Sequence, residues 1–141
     1  MMATCSCGRY VSAPRRRYCS YTCQALGSRL AFYGIDAEDF LLLLQRQGGR
    51  CAICAKTLTI SPEVRPPSVD HDHVTGQVRG VLCHGCNLRV GWFEQARKSG
   101  SQVLSQQIDG FATKIADYLN RHAAESAAGR TKGRVPHQRF A

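Results

Sequence analysis

Residues 68 to 87, SVDHDHVTGQVRGVLCHGCN, alternate two aspartates with two histidines (Asp70, His71, Asp72, His73) and close on a Cys-x-x-Cys pair with Asn87 on its heel. An upstream pair, Cys51 and Cys54, has the same spacing, so thiolates from two tight turns can share one tetrahedral zinc. The gap from Cys54 to Cys83 exceeds the roughly 15–20 residues of a common zinc ribbon, so something is folded inside it. Val69 before the acidic cluster, the turn-forming Thr75 and Gly76, and the strand-like QVRGVL predict a β-hairpin there. A helix starting near Cys83 to Cys86 then carries Asn87 in its first turns. Zinc would clamp the hairpin segment to that helix start and fix Asp70 and His71 against Asn87.

Such a placement has a chemical use. A magnesium-like cation wants oxygen ligands, and the Asp70 carboxylate and Asn87 amide oxygen offer two while leaving positions for water and phosphate. His71 points to the other side of a strand from Asp70, where it can activate a water as general base. The cation would polarise a phosphodiester and stabilise the leaving 3′ oxygen. A second reading fits the same residues: His71 and His73 as zinc ligands, with Asp70 and Asp72 orienting the imidazoles. On spacing alone, a metal-dependent nuclease and a nonenzymatic zinc module both stand.

Four segments position these groups. Residues 1–27 hold Cys5, Cys7, Cys19 and Cys23, two close pairs separated by GRYVSAPRRRY, which predicts a turn or short hairpin around Pro14. Four thiolates there would make a closed structural zinc knuckle, with Arg15, Arg16 and Arg17 as candidate DNA contacts. Residues 28–98 form the main domain. Within it Asp36 caps a helix over AEDFLLLLQRQ, with Asp39 near its start and Ile35 and Phe40 as a hydrophobic staple, and Gly48 and Gly49 stop it. Residues 99–124 read as an amphipathic helix through Leu104, Ile108, Phe111, Ile115, Tyr118 and Leu119, weakened by Gly110, its stripe packing within the chain. Residues 125–141 are a basic, flexible tail.

The whole is a small α+β protein whose core needs staples beyond apolar burial. Its eight cysteines supply them, and zinc is favoured over disulfides because no secretory segment is apparent and FLLLL is too short to span a bilayer. The expected location is the cytoplasm. The net charge is +9, from 19 Lys+Arg against 10 Asp+Glu. The basic residues crowd both ends, a pattern that favours nucleic acid over a membrane as the partner. Arg79, within the hairpin, is a further candidate DNA contact.

Residues 33 to 93 resemble the phage-type recombination endonuclease VII family, a branch of the HNH or His-Me finger nucleases. The resemblance is carried by an approach helix ending in QGGRCAIC, the hairpin VDHDHVTGQVRGVLC and the helix start CHGCN. It implies a ββα-metal core with flanking helices and structural zinc on Cys51, Cys54, Cys83 and Cys86. It further implies magnesium or manganese on Asp70 and Asn87, His71 as general base, and His73 assisting by binding phosphate or positioning water. Some members carry an acid three residues after the asparagine; here that residue is Val90, with Glu94 a weak substitute. The RRRYCSYTC stretch is similar to zinc knuckles that precede HNH cores in some phage proteins. The implied activity is DNA phosphodiester hydrolysis at a Holliday junction or other branch, in the host cytoplasm if the chain is phage-encoded. Alternatives are an HNH endonuclease cutting linear duplex and a non-catalytic zinc-dependent DNA-binding protein. A homodimer with paired active sites would favour junction resolution, but the C-terminal segment differs from the long dimerisation region of the best-known family type, so no dimer residue is assigned.

Overall fold

Thr75 and Gly76 reverse the chain as their types predict. Strand Ser68–His71 returns as strand Val78–Leu82, antiparallel, with Val69 opposite Val81 and Asp70 opposite Gly80. Asp72 sets this turn: its Oδ1 accepts from the backbone N–H of Val74 at 2.7 Å and Thr75 at 2.9 Å, and Gly76 takes φ of 73°. The register slips between Asp70 and His71, a bulge of the kind that re-aims side chains beside a site.

The structure is a computed structural model that describes residues 2–5, 7–12, 18–61, 64–102, 108 and 110–127. In chain order the elements are β1 (Met2–Thr4), β2 (Tyr10–Ser12), α1 (Tyr21–Phe32), α2 (Ala37–Arg46), β3 (Ser68–His71), β4 (Val78–Leu82), α3 (His84–Ser99) and α4 (Ala112–Ala127). The architecture is α+β, with two separate two-stranded sheets among the described residues.

Asp36 caps α2 through a reciprocal box with Asp39, whose N–H donates to Asp36 Oδ1 at 2.8 Å. A cap of this kind stabilises a helix by about 1 kcal/mol. Ile35 and Phe40 enter the same core as Leu26 and Leu30 of α1 and Val69, Val78 and Val81 of the hairpin. A second cluster joins Leu82 with Val90 of α3 and Ile115 and Tyr118 of α4. All five residues of β4 are therefore buried, which is why VRGVL shows no polar face to solvent. The exposed edge of β4 is closed by a side chain: the Gln47 amide donates to Val81 O and accepts from Val81 N–H, both at 2.8 Å, as a neighbouring strand would.

Two features lie outside the sequence expectations. Helix α1 was not anticipated; it begins at the N-cap Ser20 and runs across residue 27, carrying Cys23 in its first turn. An N-terminal hairpin of β1 and β2 turns through Cys5 and Gly8, whose φ of 87° suits glycine, while the turn expected around Pro14 falls on residues that are not described. Pro14, Arg15, Arg16 and Arg17 lie outside the described residues, as does the tail beyond residue 127. Of the helix expected over 99–124, residues 103–107 and 109 lie outside the described residues, and the described part is α4. Gly100, left-handed at φ 68°, ends α3, and Gly110 at φ 80° precedes α4, which then continues to Ala127. Leu104 is outside the described residues, but Ile108, Ile115 and Tyr118 are buried within the chain, as their periodicity predicts.

Candidate active site

The two cysteine groups come together as their spacing predicts. The sulfurs of Cys51, Cys54, Cys83 and Cys86 lie within 4.8 Å of one another, as do those of Cys5, Cys7, Cys19 and Cys23. None is in a disulfide. A zinc at about 2.3 Å from each sulfur requires neighbouring sulfurs about 3.8 Å apart. Cys54 and Cys83 are 3.8 Å apart, and Cys19 stands 3.4 to 3.6 Å from Cys7, Cys5 and Cys23. Both sets fit a closed, four-thiolate zinc. In the knuckle, burial opposes the Cys5 thiolate, but hydrogen bonds from Cys7 and Cys19 outweigh it and bring that thiol down to about 6. Burial, then contact with Cys7, Cys23 and Cys5, pushes Cys19 up to about 12. A divalent cation removes that mutual opposition.

Cys83 serves twice, as a thiol of the core cluster and as N-cap of α3, its sulfur accepting from Cys86 N–H at 3.5 Å. This puts Asn87 in the first turn of α3, facing β3. A cleft of about 280 Å³ is lined there by Asp70, His71, His73 and Asn87, with Tyr33 and Trp92 at its walls. The four residues that the sequence nominates for catalysis thus share one cavity. The His71 ring lies 4.7 Å from the rings of both Tyr33 and His73. Burial and then the neighbouring His73 hold the His71 imidazole below its ordinary 6.5, so it is unprotonated at neutral pH and has a lone pair with which to accept a proton.

Asp70 is less free than the sequence suggests. It is 4% exposed, and its carboxylate accepts from Arg79 Nε at 2.8 Å and Nη2 at 3.0 Å, and from the Tyr118 hydroxyl at 2.8 Å. Arg79 Nη1 donates to Glu94 Oε1 at 2.6 Å, and Glu94 Oε2 meets His73 Nδ1 at 3.3 Å. Arg79 is therefore corrected as a candidate DNA contact: it is 4% exposed and its fork is spent on two carboxylates. Burial pushes the Tyr118 phenol well above its usual range, Asp70 adding to the effect, so it stays a neutral donor. Asp72 does not line the cleft; it holds the turn. Val90 is buried in the core, and Glu94 reaches the site through Arg79 and His73.

Sequence reasoning missed Arg79 and Tyr118 as supports of Asp70. Tyr118 was legible only as part of an apolar stripe, and its partner lies 48 residues away along the chain. The donor set nevertheless fits a hard cation. Asp70 Oδ1 accepts one hydrogen bond and keeps a lone pair, and the Asn87 amide makes no hydrogen bond among the described residues. Carboxylates that bind metals are commonly held by such outer hydrogen bonds, although the Arg79 charge lowers their affinity for a cation.

The family model described as Recombination endonuclease VII matches residues 27–121. A Gene 59 protein of Mycobacterium phage D29 is 48% identical over 81 residues, covering 57% of this chain and 45% of that protein. A Gene 59 protein of Mycobacterium phage L5 is 45% identical over 64 residues, covering 45% of this chain and 37% of that protein. The chain thus spans less than half the length of these curated relatives. No solved structure matches it significantly.

Proposed function

The chain belongs to the recombination endonuclease VII family, and from that premise we propose that it is a metal-dependent DNA endonuclease that cuts phosphodiester bonds at branched DNA. The observation that carries the reading is the convergence of His71, His73, Asp70 and Asn87 on one cleft beside a four-cysteine cluster. His71, neutral and held between Tyr33 and His73, takes the proton from an attacking water. His73, exposed and leaning on Glu94, meets a phosphate oxygen or the water. Asp70 and Asn87 would hold magnesium or manganese, which when bound polarises the phosphodiester and offsets the charge of the leaving 3′ oxygen. Arg79 and Tyr118 fix the Asp70 carboxylate through three hydrogen bonds. The two cysteine clusters would carry structural zinc and keep hairpin and helix in register. Preference for a four-way junction over linear duplex rests on the family's recombination character, and a homodimer would pair the two cuts.

A silent zinc-dependent DNA-binding module is the second reading, favoured by the engagement of Asp70 with Arg79. Titrating magnesium and then manganese against cleavage of a labelled four-way junction and a matched duplex, with wild type and Asn87→Ala, separates them. The proposal expects ion-dependent cuts near the branch and a weakened ion response in the variant. Binding without cleavage under every ion would favour the silent module, and equal cutting of the duplex would move the substrate to linear DNA.

A further inference from the structure

A second cavity, of about 440 Å³, shares no lining residue with the catalytic cleft. The hydrogen-bonded cluster separates them: Asp70 lines the cleft, while Arg79 and Tyr118, both bonded to Asp70, line the second cavity. Three further arginines surround it, Arg46 from the last turn of α2, Arg50 from the loop after it, and Arg121 from α4.

Two of these guanidiniums are held in place by the turn that carries the first pair of the core cysteines. Arg50 Nη1 donates to Ala55 O and Arg121 Nη2 to Ala52 O, each at 3.2 Å. One N–H of each fork is used in this way, leaving the others to a ligand. Arg46 makes no hydrogen bond among the described residues. The other charged or titratable groups are Glu125, His122, the buried Cys51 thiol, and the Arg79 and Tyr118 already committed to Asp70. Three available guanidiniums thus face one carboxylate. A concave surface with an excess of one sign concentrates field, and arginine forks match phosphate oxygens. Arg46, Arg50 and Arg121 are all exposed, so a backbone running over the surface can reach them.

We propose that this cavity is an anion site for a DNA phosphodiester on a segment other than the one cut in the His71 cleft. The inference rests on the DNA reading above and adds to it a second, separate point of contact.

The test is DNA affinity measured across a salt series without added magnesium, for the zinc-loaded wild type and Arg46→Gln. Loss of one duplex phosphate contact lowers the slope of log affinity against log salt by about 0.9. The site predicts that decrease and its recovery in Arg46→Lys. Arg121→Gln, checked for zinc content because it braces the turn, should lower the slope likewise. Ethylating single phosphates should locate one outside the cut segment that matters to wild type and not to Arg46→Gln. A steep wild-type slope retained in both variants would overturn the site and leave the DNA reading intact, whereas a wild type with no salt-dependent DNA binding would overturn both. Saturable binding of inorganic phosphate, lost in Arg46→Gln while the DNA slope is unchanged, would reassign the cavity to a free anion and overturn the proposal.

Discussion

Replacing Arg79 by Met removes every guanidinium contact to Asp70 and leaves a carboxylate, 4% exposed, with the Tyr118 hydroxyl as its remaining partner. Breaking a buried ion pair from one side costs about 3–5 kcal/mol, because the surviving charge stays desolvated. Asp70→Asn breaks the same pair from the other side, but Arg79 keeps Glu94 at 2.6 Å and the cost falls to the lower end of that range. In the double variant no unpaired charge remains at the Asp70 position, and Glu94, 23% exposed at its side chain, can be hydrated. The double variant should therefore lose less than the two singles combined, with a coupling of roughly 2–3 kcal/mol. Urea unfolding of the zinc-loaded proteins, read by midpoint at constant slope, measures all four corners. Additivity to within about 0.5 kcal/mol would refute the pair as a coupled support of the site.

Other perturbations probe other layers. Because burial and His73 hold His71 down, the acid limb of the cleavage rate should lie below pH 6.5, with activity lost as pH falls and His71 gains its proton. His73→Ala should move that limb upward, whatever it does to the maximal rate; a limb that stays put would contradict the electrostatic contact. A Cβ on Gly27 would clash with the Tyr18 ring, so Gly27→Ala should destabilise by about 1–3 kcal/mol and be relieved by Tyr18→Ala, both read by thermal melting. Cys51→Ser should unfold the core on loss of zinc, while Cys7→Ser should release one zinc and spare the cleft; equal zinc content in either variant and wild type would contradict the assignments.

What the chain discloses before folding is its short-range chemistry. The capping of α2 by Asp36 and Asp39, the Thr75 and Gly76 turn, and the start of α3 at Cys83 all depend on residues within a few positions of each other. The meeting of His71, Asp70 and Asn87 in one cleft follows from those elements once the cysteine pairs join. Helix α1 escaped because its first turn is committed to the knuckle thiols, which blurs the apolar period that Leu26 and Leu30 would otherwise show. Arg79 escaped for a different reason. An arginine in a basic chain reads as a contact for nucleic acid, and only the hairpin register and the packing of α4 bring Asp70 and Tyr118 beside it.

The most direct measurement is single-turnover cleavage of a labelled four-way junction by wild type and His71→Ala, with binding and melting followed on the same samples. The account predicts cuts near the branch by wild type, and no cleavage by a variant that still folds and binds DNA. Near-normal cutting by His71→Ala would contradict the mechanism at its centre.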